Sequence, residues 1–360
     1  MYKSAIRPFL FRLPADYAHE ATIRFAGHVS RRKWLLQTAE KIYSYASPAL
    51  SQKIWGLTFP NPVGLAAGFD KNGTIAPTIE KVGFGFVEIG SVTANPSAGN
   101  PKPRSFRLPQ DHSLINRLSL NNDGAATISK RVKKLSLNIP VGVNIAKTHD
   151  PNIYGEKAIL DYKESFDLFK DFADYITINI SCPNTREGKT FEEPESLDAL
   201  LNVLKIEKDS SLPPVLVKFS VDLADTQLTE LVSICEKHAL SGYVATNTSS
   251  KRQNLVTNPE TLSAIGRGGL SGKAIAHKST AIIEKIYSQT KGEKTIIGVG
   301  GISSGQDAID KLKAGADLLQ VYTSLIYEGP AVVKRINKEI SNYLDRKGLT
   351  HIYQIHSVKD

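Results

Sequence analysis

Tyr175-Ile-Thr-Ile-Asn-Ile-Ser-Cys-Pro-Asn-Thr185 is the stretch from which the fold is read. Ile176, Ile178 and Ile180 alternate with small polar residues, the period of two and the β-branched enrichment of a buried strand. The strand then stops, because Pro183 cannot donate to a ladder and Pro-Asn-Thr is turn chemistry. Asn179, Ser181, Cys182 and Asn184 therefore crowd around the carboxyl end of one strand, the position where α/β proteins bind ligands.

Outward from this stretch the same unit recurs. Candidate strands are Val63–Ala67, Phe86–Ile89, Val141–Ile145, Tyr175–Ile180, Val215–Phe219, Gly242–Thr246, Thr295–Val299 and Leu318–Tyr322. A helical pattern follows each one: Thr74–Val82, Asp123–Leu135, Glu156–Phe172, Ser196–Lys208, Ala224–His238, Lys273–Gln289, Gly305–Ala314 and Pro330–Leu344. Eight strand–helix alternations predict an α/β fold, a (β/α)8 TIM barrel with a small N-terminal α-helical extension. Insertions are expected at Ser91–Asn122 and Thr248–Gly272. The expected divisions are an N-terminal helical segment at residues 1–50, the barrel at 51–348 and a C-terminal tail at 349–360. Pro48 to Thr58 reads as a linker.

In a barrel all strand ends share one face. The first strand ends in Ala66-Ala67-Gly68-Phe69-Asp70-Lys71, where small residues let a flat molecule approach the backbone. The others bring Ser91, Asn144, Asn179, Lys218 and Thr246-Asn247-Thr248 to that face. Gly298-Val-Gly300-Gly301 before a helix start at Ser303-Ser304 reads as a phosphate site, built from bare N–H groups and a helix N-terminus. It is not a dinucleotide fingerprint, because position 303 is serine. Asn144, Asn179, Asn184 and Asn247 each offer a donor and an acceptor, which suits a planar heterocycle with carbonyl and N–H groups. Lys71 and Lys218 suit a carboxylate or a developing anion.

The formal charge of +9 raises nucleic acid, a membrane surface and anionic small ligands as partners. No basic patch interleaves with aromatics, which places nucleic acid last. The two cysteines, Cys182 and Cys235, predict a reducing compartment and no disulfide framework. Cys235 shares a helical stripe with Leu228, Leu231 and Val232 and reads as core. No apolar run approaches membrane-spanning length, no secretory signal is evident, and no metal site is expected. In residues 1–50, Ile6, Phe9, Leu10 and Leu13 form one apolar helical face, and Pro14 starts a second helix carrying Tyr17, Ala18, Ala21 and Phe25. Such a basic amphipathic pair fits either a membrane interface or packing on the barrel.

Together these residues resemble the dihydroorotate dehydrogenase family, in particular its quinone-using class 2 branch. The resemblance runs along nearly the whole chain, through Ala18-His-Glu20, Gly64-Leu-Ala-Ala-Gly-Phe-Asp-Lys71, Glu88-Ile-Gly-Ser-Val92, Gly99-Asn-Pro-Lys-Pro-Arg104 and Phe106-Arg-Leu108. It continues in Ile115-Asn-Arg-Leu-Ser-Leu-Asn-Asn122, Ala245-Thr-Asn-Thr248, Gly268-Gly-Leu-Ser-Gly272, Ile297-Gly-Val-Gly-Gly-Ile302 and Gly329-Pro330. It departs at Cys182, where class 2 members usually carry serine and class 1 members cysteine. The Asn116-Arg-Leu-Ser-Leu120 loop also lacks the family's glycine and aromatic.

The resemblance implies FMN held by Ala66, Ala67, Gly68, Phe69, Asp70, Ser91, Asn144, Asn179, Lys218, Thr246, Gly272, Gly301, Tyr322 and Thr323. It implies dihydroorotate held by Lys71, Asn116, Arg117, Leu118, Ser119, Leu120, Asn179, Asn184, Asn247 and Thr248, with Cys182 as the base. His19, Arg107 and Tyr322 would meet a membrane quinone. The expected activity is oxidation of dihydroorotate to orotate in pyrimidine biosynthesis. The expected location is peripheral, on the cytoplasmic face of the cell membrane, with no obligatory protein partner. Two alternatives stay open: the same barrel with fumarate or NAD as acceptor, and a non-catalytic membrane-surface paralogue.

Overall fold

The computed structural model describes residues 2–181, 190–206 and 211–358. A π-type turn, Tyr2–Ile6, leads into α1 (Arg7–Arg12), α2 (Ala15–Ser30) and α3 (Lys33–Tyr43). Pro14 starts α2 as expected; α3 is a third helix that the sequence did not announce. The apolar face read across Ile6, Phe9, Leu10 and Leu13 is only partly covered, with Ile6 and Phe9 exposed and Leu10 and Leu13 half-buried.

Next comes a hairpin, β1 (Gln52–Ile54) and β2 (Leu57–Phe59), where a linker was expected. Trp55 and Gly56 both have positive φ, the backbone of a tight hairpin turn whose twist matches its strands. Trp55 and Phe59 project into the bottom of the barrel.

The barrel follows as β3 (Val63–Leu65), α4 (Ala76–Lys81), β4 (Phe86–Val92), an excursion through β5 (Ser105–Leu108) and β6 (Ser113–Asn116), and α5 (Ala125–Val132). It continues with β7 (Val141–Ile145), α6 (Glu156–Phe169), β8 (Tyr175–Asn179), α7 (Pro194–Leu204), β9 (Val215–Phe219), α8 (Asp225–Lys237) and β10 (Gly242–Ala245). A second excursion, α9 (Pro259–Ile265) and β11 (Gly269–Gly272), precedes α10 (Ala276–Gln289), β12 (Thr295–Val299), α11 (Gly305–Lys313), β13 (Leu318–Val321), α12 (Thr323–Glu328) and α13 (Val332–Lys347). Among the described residues, eight parallel strands close in the order β10-β12-β13-β3-β4-β7-β8-β9. All eight expected strands are present, several shorter by a residue or two at the carboxyl end. The two expected insertions meet, because β11 pairs with β6 and β6 with β5 in a small antiparallel sheet over the mouth.

The barrel interior is layered. Phe59, Phe86, Tyr175, Leu216, Val244, Ile297 and Leu318 form an apolar floor separate from the core between strands and helices. Gly142 leaves the space that the Tyr175 ring fills, since a Cβ there would collide with the ring. Two residues further along the strands, the interior turns polar with Glu88, Asn144, Thr177, Lys218 and Gln320, all buried. Ile176 and Ile178, the residues that mark β8 in the sequence, face outward into the helix-covered core, while Thr177 and Asn179 face inward. Cys235 is fully buried on α8, as expected. Beyond α13, a short helical turn at Ile352–Ser357 buries Ile352 and Ile355 against the barrel.

Candidate active site

The middle layer is organised by one carboxylate. Glu88 is fully buried and accepts from Asn144 Nδ2 at 2.8 Å, Gln320 Nε2 at 2.8 Å, Thr177 Oγ1 at 3.2 Å and Tyr175 Oη at 3.3 Å. A buried charge is tolerated when hydrogen bonds of this kind replace its water. From Glu88 a chain of hydrogen bonds climbs to the mouth. Asn144 Oδ1 accepts from Ser91 Oγ at 2.5 Å, and Ser91 Oγ accepts from Asn179 Nδ2 at 3.0 Å. Asn179 Oδ1 then receives Ser181 N–H at 3.3 Å and Asn247 Nδ2 at 3.4 Å.

Above this layer a cavity opens at the carboxyl ends of the strands. It is lined from β3 by Ala66, Ala67, Gly68 and Lys71, and from β4, β8 and β9 by Ser91, Asn179 and Lys218. Thr246, Asn247 and Thr248 follow β10, Gly301 follows β12, and Tyr322 and Thr323 follow β13. The loop after β6 adds Asn116, Leu118, Ser119 and Leu120, and β11 ends at Gly272. Most residues expected to bind ligand thus share one cavity.

The others lie elsewhere. Asn144 sits one layer down, between Ser91 and Glu88. The Asp70 carboxylate accepts from the Thr74 and Ile75 N–H groups at 2.9 Å each, fixing the turn into α4. Arg117 donates to the Ile265 and Pro103 carbonyls and lies over the Phe106 ring at 4.6 Å. Cys182 and Asn184 lie outside the described residues.

Both lysines are buried. Burial, and then Arg104, push the Lys71 amine down to about 8 against the pull of Asp70 and Asp16, and Lys71 Nζ donates to the Gly68 carbonyl at 2.8 Å. Burial also pushes Lys218 down, while the Glu88 carboxylate pulls it back up. The expected anion corner differs in detail. At the start of α11, Ser303 N–H is taken by the Asp307 carboxylate at 2.9 Å, and Gly305 N–H by the Glu339 carboxylate. The cavity still meets Gly300, Gly301 and Ser303 there, joined by Gly272 and the first residues of α12. A Cβ at Gly301 would collide with Ala276, so the backbone there stays bare.

A flat, phosphate-bearing group fits this lining. Thr246 Oγ1, Gln320 Oε1 and Ser324 Oγ are buried, lack a hydrogen-bond partner among the described residues and belong to lining residues of the cavity. Unmet buried polar atoms are costly, and three at one cavity mark where a ligand supplies the partners. Glu88 and Gln320 were missed from the sequence. Their signal was present, as single polar residues inside otherwise apolar strand runs.

A second cavity lies behind Lys71, shared with Asp16, His19, Phe69, Arg104 and Leu118. His19 meets Phe69 edge to face at 5.3 Å, and Phe69 meets Tyr322 the same way at 5.3 Å. An aromatic series therefore leads from α2 to the main cavity. Burial, then Lys71 and Arg104, push the His19 imidazole down to about 3, so it is neutral. Arg107 turns to α1, donating to the Leu10 carbonyl at 2.9 Å and to the Leu13 carbonyl, with its guanidinium 4.6 Å from the Phe11 centroid.

Residues 49–344 match the family model described as dihydroorotate dehydrogenase. A curated relative from Nostoc punctiforme named dihydroorotate dehydrogenase (quinone) is 41% identical, over 98% of this chain and 96% of the relative. Relatives of the same name from Gloeobacter violaceus and Haloarcula marismortui are each 39% identical, over 98% and 96% of both chains respectively. Among solved structures, DHODH in complex with ferulenol from Eimeria tenella superposes with a TM-score of 0.81 at 33% identity, over 95% of this chain and 94% of that one.

Proposed function

The chain belongs to the dihydroorotate dehydrogenase family, and we infer from this that it oxidises dihydroorotate to orotate for pyrimidine biosynthesis and passes the electrons to a quinone. The observation that carries the reading is the single cavity in which Lys71, Asn179, Lys218 and Asn247 converge above the buried Glu88 layer.

The family is flavin-dependent, and the flavin proposed here is FMN, which when bound supplies the two-electron acceptor for the substrate hydride. The three unmet polar atoms and the bare backbone at Gly301 support that choice. Lys218 would face the ring's electron-rich edge, where a buried cation stabilises developing negative charge. Gly272, Gly301 and Thr323 would hold the phosphate, with Ala66, Ala67 and Gly68 along the ring. Ser91, Thr246 and Tyr322 would complete the lining, and Asn144 would act from below through Ser91. Phe69 and Asp70 would shape this edge of the site without facing the ring.

On the substrate side, Lys71 would pair with the carboxylate. Asn116, Asn179, Asn184, Asn247 and Thr248 would read the ring's amide edge, with Leu118, Ser119 and Leu120 covering it and Arg117 bracing the loop. Cys182 Sγ would take the proton from C5. A thiol, with a reference pKa of ~8.5, ionises far more readily than an alcohol, and its thiolate is the form that would accept the proton.

The quinone would arrive from the N-terminal side, past His19 and Phe69 towards Tyr322, with Arg107 holding α1 in place. Phe9, Phe25, Trp34 and Ile42 are exposed on these helices, with Arg31, Arg32 and Lys33 nearby, a composition suited to a lipid interface. No helix among the described residues is long and apolar enough to cross a membrane. We therefore propose peripheral attachment, on the cytoplasmic face of the cell membrane.

The test is a two-stage anaerobic spectrum. Dihydroorotate should bleach the flavin's visible band, and a short-chain quinone should restore it. Restoration by fumarate or NAD instead would replace the acceptor, and no bleaching of a flavin-loaded sample would remove the substrate assignment.

A further inference from the structure

Lys311, on α11, is a buried amine that the proposed reaction does not use. It is 1% exposed. Its Nζ donates to Ser279 Oγ at 2.9 Å, Thr280 Oγ1 at 3.1 Å and the Ala276 carbonyl at 3.4 Å, all neutral and all in the first turns of α10. The nearby carboxylates are engaged elsewhere, Asp307 with Ser303 and Asp310 with Gln306. Burial pushes the amine down to about 7, with Asp307 and Asp310 acting in the opposite direction. An ammonium group surrounded by dipoles alone is an expensive thing to bury.

The place of this charge gives it a use. Ser279 Oγ donates at 2.6 Å to the carbonyl of Val299, the residue before the Gly300–Gly301 turn that lines the main cavity. Ala276, whose carbonyl Lys311 also reaches, packs against Gly301. Lys311 thus stands directly behind the bare backbone of the anion corner, two hydrogen bonds from it. Other cations nearby are less suited. Arg335 is paired with Glu328 at 2.7 Å, and Lys273 is exposed to solvent, where screening weakens it.

We propose that Lys311 is a positioning residue for the flavin's phosphate: through Ser279 Oγ and the Val299 carbonyl it fixes the Gly300–Gly301 turn, and its ammonium form, which a phosphate nearby favours, supplies positive charge behind that turn. The inference rests on the FMN reading above. It predicts that Lys311 discriminates between flavins that carry the phosphate and flavins that do not.

Full-length protein depleted of flavin is titrated with FMN and with riboflavin, and quenching of flavin fluorescence gives each affinity. In Lys311→Met, of similar length and uncharged, FMN affinity should fall about tenfold with riboflavin unchanged, the size expected of a charge acting over several ångströms inside a protein. Ser279→Ala keeps the amine but removes the bridge, and should lose FMN affinity a few-fold, again sparing riboflavin. It decides the question if Lys311→Met does not fold. Equal losses for both flavins, or undiminished FMN affinity, would overturn the positioning role and leave the FMN reading standing. Wild-type protein that holds FMN no more tightly than riboflavin would refute the FMN reading and this inference with it.

Discussion

Gln320 donates a 2.8 Å hydrogen bond to the Glu88 carboxylate across the barrel interior, joining positions 232 residues apart in the chain. The same carboxylate holds Asn144 and Thr177, so four strands agree on one acceptor. Glu88→Leu removes it and leaves those donors buried without a partner. A loss of about 3–5 kcal/mol is expected, as for other broken buried networks, with a smaller loss for Glu88→Gln. Urea unfolding followed by circular dichroism measures both; an unchanged midpoint for Glu88→Leu would show that the layer adds no stability.

Phe69 is the ring between His19 and Tyr322. Phe69→Ala should leave flavin reduction by dihydroorotate at its wild-type rate, because Phe69 does not line the main cavity. Reoxidation by quinone should slow by roughly tenfold as the aromatic series is interrupted. Stopped-flow measurement of the two half-reactions separates these effects, and slowing of the reductive step would move Phe69 to the substrate side.

Cys182→Ala should retain flavin while lowering the rate of flavin reduction by about 10²–10⁴-fold, the range expected for losing a general base. Cys182→Ser should keep part of the rate and move its pH dependence upward, an alcohol ionising far less than a thiol at neutral pH. Flavin reduction at the wild-type rate in Cys182→Ala would assign the base elsewhere.

The pH profile should have two limbs. Lys71 titrates at about 8 in the free protein. Below that pH it is cationic and, in the proposed role, would pair with the substrate carboxylate; above it the amine is neutral. The value of kcat/KM for dihydroorotate should therefore fall as pH rises past about 8, opposite in direction to the rise caused by ionising a thiol base. Lys71→Gln should abolish the descending limb and raise KM, and a profile that kept the limb would assign it to another group.

The barrel was legible in the sequence because parallel strands covered by helices carry apolar β-branched residues over most of their length. The β8 isoleucines are an example, although they face the helices and the alternate residues Thr177 and Asn179 face the barrel interior. The strand ends were legible because glycine, lysine and asparagine interrupt apolar runs there. The sheet of β5, β6 and β11 was not, since its outer partners are joined through Asn116, which faces Ser105 on one side and Gly269 on the other, far along the chain. The hairpin at Gln52–Phe59 was read as a linker because its strands are three residues each and their apolar side chains have no visible partner until the barrel closes. The resemblance implies Asp70 among the flavin-binding residues, and its side chain is engaged by the next turn. That choice depends on where the N–H groups of Thr74 and Ile75 point, which sequence spacing does not state.

The route of the first sixty residues has a mechanical consequence. Tyr2 Oη bonds to the Ile326 carbonyl and Arg7 to the Tyr327 carbonyl, both on α12 at the mouth, while Trp55 and Phe59 are wedged into the floor. Between them Ala26 and Leu50 are buried in the main core, and only a few residues separate the end of α3 from Leu50. The chain is thus a strap fastened at both ends of the barrel and along its side. Its slack is too short for the exposed aromatic surface to swing away by itself, so a force on that surface is borne by the whole barrel, and the span from surface to cavity keeps a constant length.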